Sequence, residues 1–549
     1  MMNPVIRVLL VCLLLWSGHA TAQQTVADDR PSAAGEIRRL LEIENLSING
    51  AAILGQEMVL QTYRENGFEP YWTQVENTGK LVSLINEAPD HGLIPADYNI
   101  EQVLWIQSEQ ERDPSTMIAA EADIVLTESL LRYSYHRRYG KIKASSIDPD
   151  INFKREAFSN KPPGVTLRES LEAPTLQGFI ELTAPSGPYY TGIQHWLTQY
   201  RRLAEAGGWP AVPEGPTLKP GDVDPRVVSI RNRLEATGEL PKSTVTNPME
   251  FDGPLKTAVS EFQVRHALAD DGIVGKRTVA AMNVPVEARI DQLRISLERL
   301  RWVNQEADQT FVAVNIASFR AFVYKDGNME WSTRAMVGKD YRRTPVFRGD
   351  IRYMEFNPTW TIPPTILRDD TLPAIKRDPN YLASKNIRVI GSNGEFVDPQ
   401  TVDWNRYTTM VPYTLRQDPG PDNALGTVKF IFPNKHAVFL HDTPHRELFD
   451  QPERAFSSGC IRIEHPLKLP EWLLDDENYP ESVLQSIVDS RKTQRISLAQ
   501  PIPVIITYLT ASLDLDGNPL FFRDIYNFDA KVLQALDGPV VIELPAIVQ

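Results

Sequence analysis

Residues 441–462, HDTPHRELFDQPERAFSSGCIR, hold the side chains best suited to making and breaking a covalent bond. Cys460 follows Ser458 and Gly459, and the only other cysteine is Cys12. A thiol near its ordinary pKa of about 8.5 is mostly protonated at neutral pH, so a nucleophilic cysteine needs a base or a positive field beside it. Histidine is the usual base, and three precede Cys460. His441 ends the apolar run Val438-Phe439-Leu440 and would be held rigidly by a strand; His445 follows Pro444 in a loop; His436 sits in the turn at Pro433-Asn434-Lys435. A glycine just before the nucleophile lets the backbone turn sharply and bring peptide N–H groups towards a developing oxyanion. The amide of Cys460, with that of Gly459 or Ser458, would form that hole. Arg462 has three open roles: favouring the thiolate, binding a substrate carboxylate, or forming a plain structural ion pair. The pattern is that of acyl transfer through a thioester.

A strand must carry His441, and strand alternation then puts Phe439 on the same face, a candidate for the pocket wall. Trp360 is a second candidate, and either aromatic could equally be core. From Phe311 the apolar period is two, and Asp326-Gly327 marks a hairpin between strands expected at 321–324 and 329–336. Further strands are expected at 350–356, 428–432, 437–440 and 502–508, which makes residues 309–510 a β-rich domain. The pattern breaks over about 365–425, where Pro-, Asn- and Asp-rich turns mix with short helical pieces. That is read as an insertion beside the site, of the kind that forms lids or binding loops. The tail, 511–549, again mixes strand and helix and either closes the domain or docks elsewhere.

Upstream, residues 36–205 read as mainly helical, punctuated by turns at Asn66-Gly67 and His91-Gly92. Residues 206–222, with Pro210, Pro213, Pro216 and Pro220, read as a stiff linker. A small module follows at 223–284. Val227, Ile230 and Leu234 mark its first helix, Pro254 opens the second, and Asp271-Gly272 turns into a third. Ile290, Leu293, Leu297 and Leu300 make an amphipathic linking helix within 285–308.

The 549-residue chain suggests three or four domains at roughly 150 residues each, and 42 prolines favour linked modules. A net charge of −14 opposes a nucleic-acid partner held through phosphates. Residues 1–22 carry Arg7, an apolar run over 8–16 and the small-x-small site Ala20-Thr21-Ala22, which together read as a secretory signal. The run is about half the ~20 residues a spanning helix needs, so no transmembrane segment is expected after cleavage. Cleavage would remove Cys12 and leave Cys460 without a disulfide partner.

Two resemblances follow from these residues. Phe262-Gln263, Asp271-Gly272-Ile273-Val274-Gly275 and Thr278 resemble the three-helix peptidoglycan-binding module of bacterial cell-wall enzymes. His441, sixteen intervening residues and then Ser458-Gly459-Cys460-Ile461-Arg462 resemble the signature of the L,D-transpeptidase catalytic domain. From His445 the gap is twelve and from His436 twenty-one, and neither fits that signature. Ser458 stands where the family more often has histidine and Arg462 where asparagine is more common; both match a large subgroup. That subgroup resembles the chain throughout, including Glu298-Arg299, Arg301-Trp302 and the segment Asn357-Pro358-Thr359-Trp360 before its cap.

The resemblance implies a multidomain α+β protein: a helical N-terminal scaffold, a three-helix peptidoglycan-binding module and a β-rich catalytic domain with a mixed capping insertion. It implies a periplasmic enzyme, with Cys460 as nucleophile and His441 as general base and acid. Cys460 would attack a tetrapeptide stem at its diaminopimelate, and a second stem would complete a 3→3 cross-link. No metal or organic cofactor is implied, and other cell-wall synthesis enzymes are implied as partners. The same site would also accept carbapenems as acylating agents. Two other outcomes stay open, trimming of stems as an L,D-carboxypeptidase and a catalytically silent wall-binding scaffold. A zinc peptidase using His441, His445, Cys460 and His465 is opposed by Pro444, which disfavours a helical His-x-x-x-His pair.

Overall fold

The computed structural model describes residues 32–112, 115–155, 162–172, 176, 180, 184–242, 244–304, 310–474, 476 and 478–540. The leader expected at 1–22 lies outside them. Nine strands form the large sheet: β1 Thr310–Asn315, β2 Arg320–Lys325, β3 Asn328–Gly338, β4 Phe347–Phe356, β5 Val428–Ile431, β6 Leu440–His441, β7 Ala455–Ser457, β8 Ile461–Ile463 and β9 Gln494–Thr507. Their order is β7-β3-β8-β6-β5-β4-β9-β1-β2, and β2 pairs again with β3, so the sheet closes on itself. Closure removes the exposed edges that an open sheet of this length would carry. Asp326 and Gly327 take positive φ values of 52° and 80°, the turn geometry that matches strand twist in the β2–β3 hairpin.

Alternation fills the interior with Val312, Val314, Val323, Ala335, Met354, Phe430, Leu440, Ile461 and Val504, all in one core. β6 is shorter than the strand expected over 437–440. Ala437 takes φ +54°, and the Asn434 side chain ties the preceding turn by donating to Phe432 O and Val438 O, each at 2.7 Å. The ladder therefore reaches Phe439 only through Ile461 N–H donating to its carbonyl at 3.1 Å.

The insertion contains more regular structure than its sequence announces. Trp360–Thr361, Thr414–Gln417, Ile387–Ile390 and Phe396–Val397 form a separate four-stranded sheet over its own core of Ile362, Leu367, Ile375, Leu382 and Leu415. The tail does both things expected of it. Phe522, Tyr526, Val532 and Leu536 join the main core, while Ala511 and Phe521 pack with Tyr190, Leu293 and Leu297.

The stretch read as a stiff linker is bound to the module after it. Val212 and Leu218 lie in the module core, and Val212 exchanges two hydrogen bonds with Asn283, at 2.7 and 2.9 Å. Proline content constrained the path, and apolar burial fixed it. The three module helices are Arg226–Ala236, Gly253–Arg265 and Lys276–Met282. Gln263 explains the motif there: its amide donates to Asp271 Oδ1 and Ile273 O and accepts from Gly272 N–H at 2.8 Å.

The N-terminal region is helical, with Thr116–Tyr139 buried along most of its length, and adds one short hairpin, Ser47–Ile48 with Ala51–Ala52. Glu298, on the linking helix Val286–Val303, joins it to the rest. This fully buried carboxylate accepts from Ile142 N–H at 2.7 Å, Lys141 N–H at 3.2 Å, Arg301 Nη2 at 2.7 Å and Trp302 Nε1 at 3.1 Å. Arg301 in turn donates to His91 O and Tyr190 Oη, at 2.9 and 2.8 Å.

Candidate active site

β6 and β8 run parallel, with Leu440 opposite Ile461 and His441 opposite Arg462. Leu440 and Ile461 point into the core, so alternation puts Phe439, His441, Cys460 and Arg462 together on the other face. His441 and Cys460 are diagonal neighbours there. The Phe439 and His441 rings lie 5.5 Å apart between centroids, as their spacing of two requires.

The turn before Cys460 is tightly specified. Gly459 has φ +116°, a region that disfavours every residue with a Cβ. Ser457 Oγ accepts from Gly459 N–H at 3.0 Å and donates to Cys460 O at 2.5 Å. The Gly459 amide is therefore spent within the turn, contrary to the expectation that it could face an oxyanion. Among the described residues the Ser458 and Cys460 amides have no protein acceptor.

Cys460 Sγ lies 3.8 Å from Ala437 O. Burial pushes the thiol up, opposed by the Phe439 N–H directed at it and by the Arg462 charge. That backbone contact was not among the expectations from sequence. Asn434 ties down the turn before Phe439, since its Oδ1 accepts from His436 N–H and Val438 N–H at 3.0 and 3.2 Å. The Pro433-Asn434-Lys435 turn was the available signal.

His441 is buried, and desolvation, with the Arg462 charge second, lowers its pKa to about 3. Its Nδ1 lies 2.5 Å from the Asp442 carbonyl. A carbonyl can only accept, so this contact calls for the proton on Nδ1; a second carbonyl, that of Leu425, also faces the ring. Asp442 is itself fixed by Thr427, whose N–H and Oγ1 both donate to Oδ2 at 2.8 Å. His436 and His445 pair instead with Asp150 and Glu447, and among the described residues no group of three or more His, Cys, Asp or Glu side chains is placed to hold a metal.

Arg462 has no carboxylate within ion-pair distance among the described residues, and its Nε is buried without an acceptor. Among the described residues the structural ion pair left open by the sequence is thus not made. A buried guanidinium short of partners is costly and suits an incoming anion. Trp360 is not part of this face. It pairs with Gln417 in the insertion sheet and packs on the insertion core, because β4 ends at Phe356 and the chain leaves the barrel before Trp360. Arg342, unmarked in the sequence, donates to Ser458 Oγ at 3.0 Å and pairs with Asp370 and Asp369 at 2.6 and 3.2 Å, joining the cysteine turn to the insertion.

The closed β domain thus presents a cysteine and a histidine near the ends of two adjacent parallel strands. Residues 309–504 match the L,D-transpeptidase catalytic domain, residues 57–197 a scaffold domain and residues 223–282 a peptidoglycan-binding domain. The matches thus run in the order scaffold domain, peptidoglycan-binding domain and L,D-transpeptidase catalytic domain along the chain. A Haemophilus influenzae protein bearing the L,D-transpeptidase name is 35% identical over 271 residues, which is 48% of this chain and 55% of that one. The chain therefore spans about half the length of this relative. The L,D-transpeptidase structure from Xylanimonas cellulosilytica is 14% identical, covering 54% of this chain and 98% of that one at a TM-score of 0.17. That from Stackebrandtia nassauensis is 12% identical, covering 54% and 96% at a TM-score of 0.20. Among the described residues no helix is long and apolar enough to cross a membrane.

Proposed function

We propose that the protein is a periplasmic L,D-transpeptidase that forms 3→3 cross-links between peptidoglycan stems through a Cys460 thioester. The observation that carries this reading is the register that puts Cys460, His441, Phe439 and Arg462 on one face of two parallel strands. His441 Nε2 takes the thiol proton as Sγ attacks the carbonyl of diaminopimelate in a tetrapeptide stem. The Ser458 and Cys460 amides receive the oxyanion. As the C–N bond to the terminal D-alanine breaks, His441 returns the proton to the departing amine. The side-chain amine of a second diaminopimelate then attacks the thioester, His441 accepts its proton, and the C–S bond breaks to restore the thiol. Arg462 holds a stem carboxylate, Phe439 forms part of the wall, and the module at 223–282 keeps the enzyme on its polymer.

With a neutral imidazole and a raised thiol, the resting site is a neutral pair, and the proton moves as the bond forms. The test is incubation with tetrapeptide-stem muropeptides, read by mass spectrometry beside Cys460→Ala. A Cys460-dependent dimer lacking one D-alanine is the expected product. Tripeptide alone would make water the acceptor and the enzyme a carboxypeptidase. Absence of both, with binding to sacculi retained, would leave a wall-binding scaffold.

A further inference from the structure

Two buried hydroxyls outside residues 441–462 hold the turn that presents Cys460. Thr344 Oγ1 accepts from Gly338 N–H and donates to Gly459 O, both at 2.8 Å. Tyr526 Oη donates to Gly338 O at 2.6 Å and accepts from Thr344 N–H at 3.2 Å. Each hydroxyl makes one bond as donor and one as acceptor, so the direction of every bond is fixed. Thr344 is wholly buried and Tyr526 is 1% exposed, which leaves water no place in this chain. A further bond, Lys339 N–H to Ser457 O at 3.0 Å, lies on the same side of the turn.

Tyr526 belongs to the tail, beyond the residues that match the catalytic domain. Its own position is set from further away. Tyr526 N–H donates to Tyr508 Oη at 2.9 Å, and Tyr508 Oη donates to Asp524 Oδ1 at 2.6 Å. Asp524 also accepts from the Phe528 and Asp529 amides, and Asp529 pairs with Arg299 of the linking helix at 2.5 Å. The Arg343 guanidinium lies over the rings of Tyr526 and Phe528, at 5.5 and 5.2 Å. Hydrogen bonds thus run from the linking helix, through the tail, to the residue before Cys460.

We propose that Thr344 and Tyr526 are positioning residues, whose hydroxyls clamp the Gly338 and Gly459 backbones and so hold the Cys460 thiol against the backbone of residues 437–439. Neither touches substrate. Loss of either hydroxyl leaves buried backbone groups unpaired and frees the Gly459 turn to rotate Sγ away from the backbone of residues 437–439, whose Phe439 N–H favours the thiolate. The thiol then becomes less acidic and slower as a nucleophile. The part of the test read by turnover rests on the transpeptidase reading; the part read by thiol reactivity does not.

The experiment compares full chains carrying Thr344→Val, Thr344→Ser and Tyr526→Phe. Iodoacetamide labelling is followed on the Cys460 peptide across a pH series, with melting temperature and cross-linking measured in parallel. Thr344→Val and Tyr526→Phe are expected to slow labelling at neutral pH about tenfold, as the thiolate fraction falls with its amide donor. Their labelling profiles shift to higher pH, and kcat falls with KM held. Thr344→Ser keeps the hydroxyl and stays close to the parent. Equal labelling profiles in the valine and serine variants, or labelling at the parent rate in Tyr526→Phe, would overturn the assignment. Should Thr344→Val fail to fold, Tyr526→Phe, which removes one oxygen, decides alone. If the parent protein forms no cross-links, the proposed activity fails while the labelling comparison still decides the clamp.

Discussion

His441 and Arg462 are register partners across the parallel β6–β8 pair, and the imidazole is neutral to a pKa of about 3 because it is buried and faces that guanidinium. One consequence is kinetic. The acid limb of kcat/KM reports the free enzyme's base, so activity should persist through the ordinary histidine range near 6.5 and fall only as pH approaches about 3. A pH–rate profile with its midpoint near 6.5 would contradict this.

The same shift has a thermodynamic sign. Between about 3 and 6.5 the unfolded chain binds a proton at this histidine that the folded chain refuses. The stabilisation is complete above pH 6.5 and is lost as pH falls through about 3. His91, depressed to about 2 by burial, adds to the same slope. Urea midpoints measured across this range should fall with acidity, and His441→Gln should flatten the dependence whatever it does to the absolute value.

Arg462→Gln removes a positive charge that favours the Cys460 thiolate and depresses His441. The thiol should become less acidic, and the imidazole should titrate nearer its ordinary range. If Arg462 also holds a stem carboxylate, the lost charged hydrogen bond, worth about 1.5–3 kcal/mol, should lower kcat/KM roughly tenfold or more. Paired measurements of thiol labelling and KM separate the two contributions.

Asn434→Ala deletes a side chain that makes four hydrogen bonds to the turn over residues 432–438. A cost of about 1–3 kcal/mol is expected from unpaired backbone groups. Slower Cys460 labelling should accompany it, because this turn leads into Phe439, whose N–H favours the thiolate. Denaturant midpoints and labelling rates check both.

Glu298→Ala strands Arg301 as a buried charge, and breaking such a pair costs about 3–5 kcal/mol. Gly140→Ala attacks the same junction sterically, since a Cβ there would collide with Glu298 Oε1, at a residue with φ +86°. Both should lower the melting temperature and loosen the N-terminal region in hydrogen exchange. At the surface, Asp370→Asn should leave global stability unchanged, because exposed ion pairs contribute little. It should speed amide exchange in the insertion helix Leu372–Arg377, by weakening the Arg342 bridge.

Much of this molecule was legible in its sequence because the relevant physics is local. Period-two alternation from Phe311 and the Asp326-Gly327 turn announced β1 to β3, and the spacing of Leu293, Leu297 and Leu300 announced the linking helix. The apolar run Val438-Phe439-Leu440 announced a strand ending at His441, and Gly459 marked a turn that only a residue without a Cβ adopts readily at φ +116°. Contacts between distant segments were not legible. Thr344 and Tyr526 meet at Gly338 across 182 positions, and Arg342 meets Ser458 across 116. Closure of the barrel brought these segments together, and burial gave their hydrogen bonds weight by excluding water. Tertiary structure also spent the Gly459 amide within its turn, moved Trp360 into the insertion sheet and, among the described residues, left Arg462 without a carboxylate. Residue types and spacing set which atoms could react, and packing determined which of them face one another and in what protonation state.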